Sequence, residues 1–291
     1  MTTSSSACLF EEELAAIRPA LEKKLTLGEV DLPLLPVVAH QVLLLSGDPN
    51  ADSSKLSALI QQDQALAGQI LRIANSPAHA PRSPIVSLQQ AIAWLGLNML
   101  AGLAFSVSVQ SWVFKTTGYE QAVRELWRHA LATGLYGKEI ARRIRHNVEN
   151  AFLCGLLHQI GQPAVLHVTS SIPPLDGTRH SWPVLEKLFE EFHVQAGVAL
   201  GEAWKLPEPV KETIRYFPDH LYSQANSPTR GAIITCLADH LAAYALGTSE
   251  LCEETLRNLP VVQDLNFYPE DMTALLEQKE SIQHNVECFL S

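Results

Sequence analysis

The chemistry-bearing residue set deepest in apolar sequence is His158, with Gln159 beside it, in the run Asn147–Leu166. From Val148 to Ile160 the chain lacks proline and reads as a helix. Ala151, Phe152, Leu153, Cys154, Leu156, Leu157 and Ile160 cover nearly every side of it, so the helix is expected to be buried all round. Gly161 and Pro163 are expected to stop it, leaving His158 and Gln159 at its far end. An unpaired buried polar group costs roughly 1–3 kcal/mol, so His158 needs a partner. That partner is a metal ion, a ligand or another side chain. Other candidates carry less. Ser106 and Ser108 have no nearby base. His193, between Phe192 and Val194, reads as a satisfied helix histidine at the edge of a possible pocket. His40, His79, His146, His167, His180, His220 and His284 have no second ligand at helical spacing.

The elements that must hold His158 are helices. Leu9, Phe10, Leu14, Ile17, Leu21 and Leu25 recur by threes and fours and predict an amphipathic helix over 9–25. Pro36 opens the next, which Gly47–Asn50 ends. Ser53 or Ser54 caps a helix over 55–61, and another runs over 65–74 until Asn75-Ser-Pro77. Ser87-Leu-Gln-Gln90 has the form of a capping box and opens a helix through Leu95. Gly96 separates it from a long apolar helix over 97–113, in which the brief alternation of Phe105–Val109 is still helical. A long helix over 119–144 carries Leu126, His129, Thr133, Tyr136 and Ile140 on one face. Further helices cover 182–192, which 193–204 continues or directly follows, 206–216 and 227–246, and the last follows Tyr268-Pro269 through Ile282. No stretch alternates cleanly with β-branched residues, so an all-α fold is expected.

The 291 residues suffice for one large domain or two small ones. The chain carries 21 Lys+Arg against 31 Asp+Glu, a net charge of −10, which argues against a nucleic-acid surface. The basic cluster Arg142–His146 answers a helix dipole. The five cysteines are scattered without zinc spacing and read as reduced thiols. No signal peptide and no membrane span are expected, which makes the chain cytoplasmic.

The order of motifs resembles the HDOD domain family, a degenerate relative of the HD-domain metal-dependent phosphohydrolases. The resemblance rests on Leu32-Pro-Leu-Leu-Pro36, Leu59–Leu66 (with Gln64 where proline is usual), Ile70–Ser76, Ile85–Ile92 followed by Leu95-Gly96, Trp127-Arg-His-Ala130, Phe152–His158 and Trp204-Lys-Leu-Pro207. It implies a multi-helix HD-like fold, with two helical lobes packed into one domain over 30–246. The lobes are 30–115 and 116–246, and 1–29 and 247–291 are helical extensions. Carried over residue by residue, the HD metal ligands are His129, His158 and Asp239. The defining Asp of the His-Asp pair is here Gln159. The His pair common after the Trp-x-Leu-Pro helix reads Phe217-Pro218, and His193 stands where another His is common.

Hard divalent cations in a hydrolytic centre need anionic oxygen ligands, and a neutral amide at 159 is a poor substitute. Two imidazoles and one carboxylate still suit a single divalent transition metal. The plain alternative is a metal-free cluster in which His158 donates to Asp239, with His129 or Gln159 completing the network. The resemblance therefore implies a non-catalytic regulatory module of bacterial signal transduction, often found beside receiver domains of two-component systems. Its expected occupant is a signalling protein or a small nucleotide-like ligand. The rival expectation is a metal-dependent phosphohydrolase acting on a nucleotide or cyclic dinucleotide.

Overall fold

Prolines and glycines mark several helix ends, but Pro19 lies inside the first helix, and Gly134 and Gly155 lie inside the helices that carry the site. The computed structural model describes residues 2–27, 35–46, 53–76, 81–113, 118–174, 179–218, 221–226 and 230–290. Among them every regular element is helical, as the sequence predicts. Residues 32–34 of the opening motif lie outside the described residues, as do the expected breaks at 47–50, Pro77 and Ser227-Pro228.

The first lobe comprises α2 (Val37–Ser46), α3 (Ser53–Gln61), α4 (Gln64–Ala74), α5 (Leu88–Leu95) and α6 (Leu97–Val113). Asp63 caps α4, its carboxylate accepting from Leu66 N at 3.0 Å. Ser87 caps α5 by accepting from Gln90 N at 3.2 Å, while Gln90 Oε1 reaches back to Val86 N at 2.8 Å, one residue before the cap. The capping box is thus offset by a residue. Asn75 does more than end α4: its side chain donates to Ile85 O and accepts from Ile85 N, both at 2.8 Å, tying the end of α4 to the approach to α5. Leu100, Leu103, Phe105 and Val109 of α6 are all buried, so the Phe105–Val109 alternation is helical and interior.

The second lobe comprises α7 (Glu120–Arg143), α8 (Val148–Leu157), α9 (Gly161–Ser170), α10 (Trp182–Ala203), α11 (Glu208–Tyr216) and α12 (Gly231–Leu246). α7 exceeds its one-face expectation: it is buried all round from Ala130 to Gly137, because α8 and α12 both pack on it. The α7–α8 crossing is close. A Cβ on Gly155 would lie 2.7 Å from Gly134 Cα and 2.7 Å from Thr133 O, so only glycine fits there.

The expectation that Gly161 and Pro163 merely stop a helix ending at Ile160 is corrected. α8 ends at Leu157, His158 forms its C-cap, and Gly161 opens α9. Pro163 is the third residue of α9, where a missing N–H costs nothing, because the first four N–H groups of a helix have no internal partner. Gly161 is needed for the α9–α10 crossing, since a Cβ there would sit 1.7 Å from His193 O.

The chain ends pack onto this frame. The first helix, α1 (Thr2–Leu27), is longer than expected, because small polar residues at its start give no apolar period. Leu14, Ile17, Leu21 and Leu25 are buried against α9 and α10. Arg18 donates twice to Glu191, at 2.7 and 2.8 Å. Glu13 accepts from Ser181 and lies 3.2 Å from His180 Nδ1. His180 is therefore not isolated, as its spacing suggests, but buried between Glu13 and Ile172 O. At the other end stand α13 (Glu253–Arg257), α14 (Pro260–Asp264), α15 (Pro269–Leu276) and α16 (Lys279–Leu290), where one final helix is expected. α16 packs on α7, α12 and α4 and so touches both lobes. Arg142 and Arg143 of the basic cluster are engaged by Glu139 and Asp271. Among the described residues no single helix is long and apolar enough to cross a membrane.

Candidate functional site

Three helices deliver the three residues singled out from the sequence. α7 carries His129, the end of α8 carries His158 and α12 carries Asp239. The tight Gly134–Gly155 crossing places the two histidine rings 5.8 Å apart, centroid to centroid. His129 Nε2 lies 2.7 Å and His158 Nε2 3.0 Å from the same oxygen, Asp239 Oδ1. Among the described residues this is the one group of His, Cys, Asp and Glu arranged to hold a metal, with all three ligand atoms within 4.8 Å of one another.

The tautomer of His158 follows from its second nitrogen. Nδ1 donates to Gly155 O at 2.6 Å. A neutral imidazole has one N–H, so Nε2 then carries only a lone pair, and it faces a carboxylate oxygen. Two states relieve that conflict: the ring takes a second proton, or a cation accepts the lone pair. The Nδ1–H···O=C anchor is the arrangement that orients a ligating histidine. Asp239 is ionised in either state. Burial pushes its carboxyl up, but the His129 and His158 hydrogen bonds outweigh this and hold it well below the usual carboxylate range. The residues therefore fit one transition ion held by two imidazoles and a carboxylate.

The site opens into a cleft of ≈ 790 Å³. Gln159, His193, Phe217, Pro218 and Asp239, each singled out from the sequence, line it together. Gln159 does not complete the histidine–carboxylate network; His129 does. Phe217 sets its ring edge-on to His158, 4.8 Å between centroids. His193 lies outside the ligand set. Its Nδ1 donates to Phe189 O at 2.6 Å, and burial, together with the charge of His158, keeps its pKa below the ordinary histidine value. His158 itself is fully buried behind these residues.

The sequence reading missed His240 and the α10 wall of Trp182, Glu186, Phe189 and Glu190. A signal was present. Positions 182, 186, 189/190 and 193 recur at helical spacing and end on a histidine already singled out. No motif marks them, because they are ordinary helix-surface types until α7, α11 and α12 face them across the cleft.

The same fold recurs in solved structures. A proposed metal-dependent phosphohydrolase from Shewanella amazonensis SB2B superposes with a TM-score of 0.73 at 22% identity, covering 96% of this chain and 99% of its own. An HDOD domain protein of unknown function from Geobacter sulfurreducens gives 0.72 at 24% identity, covering 95% and 98%. A proposed signal transduction protein from Marinobacter aquaeolei VT8 gives 0.64 at 20% identity, covering 96% and 67%. In sequence, an uncharacterized protein of Treponema pallidum is 29% identical over 194 residues, 64% of this chain, and the match spans 37% of that relative's length. The family pattern of the HDOD domain runs over residues 32–219, from the opening motif through the cleft-lining Phe217 and Pro218. With that match spanning most of the sequence and the helical frame shared, the chain belongs to the HDOD domain family.

Proposed function

We propose that this chain is a regulatory module of bacterial signal transduction that binds a protein or a small ligand in the cleft beside Asp239, without turnover. The observation that carries the reading is the poverty of the ligand set. Its one carboxylate oxygen is shared between two imidazoles. The neighbouring positions supply an amide at Gln159, a phenyl ring at Phe217 and no donor at Pro218. A two-metal hydrolytic centre needs anionic oxygens to bridge its ions and hold a nucleophile between them. The shared fold with a protein named for signal transduction agrees with the reading. Mechanistically, the cleft is walled by α7, α10, the end of α11 and α12, so an occupant that favours one packing of these helices shifts the population toward it.

A second reading is favoured by the His158 anchor. His129, His158 and Asp239 would hold a single transition ion, and the chain would act as a phosphohydrolase on a nucleotide or cyclic dinucleotide. Such an ion would supply Lewis-acid polarisation of a phosphoryl oxygen and an acidified water. The chain's own part would be to fix His158 Nε2 through the Nδ1 bond to Gly155 O and to keep Asp239 ionised. Elemental analysis and turnover of a phosphodiester panel with Mn²⁺, Fe²⁺ or Mg²⁺ decide between the two. The regulatory reading expects no turnover above background. Turnover that His158→Ala abolishes would refute it.

A further inference from the structure

The α10 wall of the cleft has a charge pattern of its own. Trp182 Nε1 donates to Glu186 Oε1 at 2.8 Å, which fixes the indole and the carboxylate side by side. The indole meets the Phe189 ring edge to face, with centroids 5.7 Å apart. Among the described residues that line the cleft there are three carboxylates, Glu186, Glu190 and Asp239, and no Lys or Arg. Two of the three are answered. Lys187 Nζ lies 2.7 Å from Glu190, and two imidazoles meet Asp239. Glu186 is met by a neutral indole, so its charge is left to the cleft.

A phosphate-bearing ligand entering here would approach the exposed Glu186 carboxylate, and the described lining offers it the imidazoles of His193 and His240 but no Lys or Arg, which is an unfavourable arrangement for an anion. A positively charged group finds the opposite: a carboxylate and an aromatic surface held together by one hydrogen bond. A cation over an indole is attracted by the ring quadrupole, and a carboxylate beside it adds a charge-assisted hydrogen bond. We propose that the cleft receives an ammonium or guanidinium headgroup, placed over the Trp182 indole face with the Glu186 carboxylate beside it. The proposal rests on the binding-module reading above and names the chemistry of its occupant. The same headgroup occurs on a free amine and on a lysine or arginine side chain of a protein.

Titration calorimetry on the full chain, stripped of metal with a chelator, tests this with three probes. Agmatine, a dication with an ammonium and a guanidinium, represents a free amine, an acetylated and amidated Gly-Arg-Gly peptide represents a protein side chain, and cyclic di-GMP is the anionic comparison. One or both cationic probes are expected to bind, more weakly as salt rises. Binding by agmatine alone assigns a small amine, and tighter binding of the peptide assigns a protein. Glu186→Gln keeps an acceptor for Trp182 at an exposed helix position, so it removes charge without threatening the fold. It should weaken cation binding about threefold. Trp182→Leu should weaken it by about two- to thirtyfold. The proposal is overturned if neither cationic probe binds at millimolar concentration, if Glu186→Gln leaves the affinity unchanged, or if cyclic di-GMP binds the metal-free chain more tightly. Phosphodiester turnover by the metal-loaded chain would overturn it by a separate route, by removing the reading beneath it.

Discussion

Gly155→Ala tests the geometry on which the site depends. The new Cβ would lie 2.7 Å from both Gly134 Cα and Thr133 O, and 2.8 Å from Gly134 N. These are backbone atoms, so no rotamer change relieves the clash. Ordinary carbon contacts lie at about 3.5–4.0 Å, so α8 must move off α7 by roughly 1 Å. His158 stands three residues further along and moves with α8. Its 3.0 Å contact with Asp239 then stretches beyond hydrogen-bonding range. Overpacking of this kind costs about 1–3 kcal/mol. A hydrogen bond to a charged group adds about 1.5–3 kcal/mol. Together the loss is about 2.5–6 kcal/mol, which for a chain of this size lowers Tm by roughly 5–20 °C. Thermal unfolding followed by circular dichroism reads it directly. Gly68→Ala is the matched control. It too lies inside a helix, its Cβ would meet nothing within 4 Å, and it should stabilise by up to about 1 kcal/mol. If Gly155→Ala melts within experimental error of the parent chain, the close α7–α8 crossing is refuted, and with it the placement of His158.

Two further substitutions probe the centre itself. Asp239→Asn removes the charge that both imidazoles face; with its side chain 23% exposed, the loss should be about 2–3 kcal/mol, less than for a fully buried pair. The folded carboxyl titrates well below its unfolded value of 3.8, so ionised Asp239 stabilises the fold above about pH 4 and loses that contribution as pH falls further. Urea unfolding should therefore show the gap between the parent chain and the variant narrowing by about 1 kcal/mol from pH 6 to pH 3, and an unchanged gap would contradict the assignment. Gln159→Asp restores an anionic oxygen beside the cluster and should raise Mn²⁺ affinity about tenfold by calorimetry. Equal affinity in the two chains would mean that position 159 does not reach the ion.

His158 was legible from its neighbourhood alone. A histidine in a run whose apolar residues cover a whole helix must find a partner, whatever the rest of the chain does, because burial makes an unpaired ring costly. The same reasoning gave the all-α fold, since apolar spacing by threes and fours is local and survives without knowledge of contacts. His129 and Asp239 became legible only through the order of family motifs, because nothing in their own surroundings marks them. Gly161 and Pro163 misled for a physical reason: local rules see a helix stop, while the α9–α10 crossing requires a residue without Cβ where a new helix begins.

What the sequence determined by itself is the all-helical class, most of the helix spans before residue 247 and the identity of the groups able to carry charge or a lone pair. Which of those groups meet was decided by tertiary packing. The shared Asp239 oxygen, the two-acceptor environment of His158 and the unanswered charge of Glu186 all depend on helix crossings set by residues far apart in the chain. The spacing along one helix fixes which face a side chain takes, and only the contact between helices fixes what stands opposite.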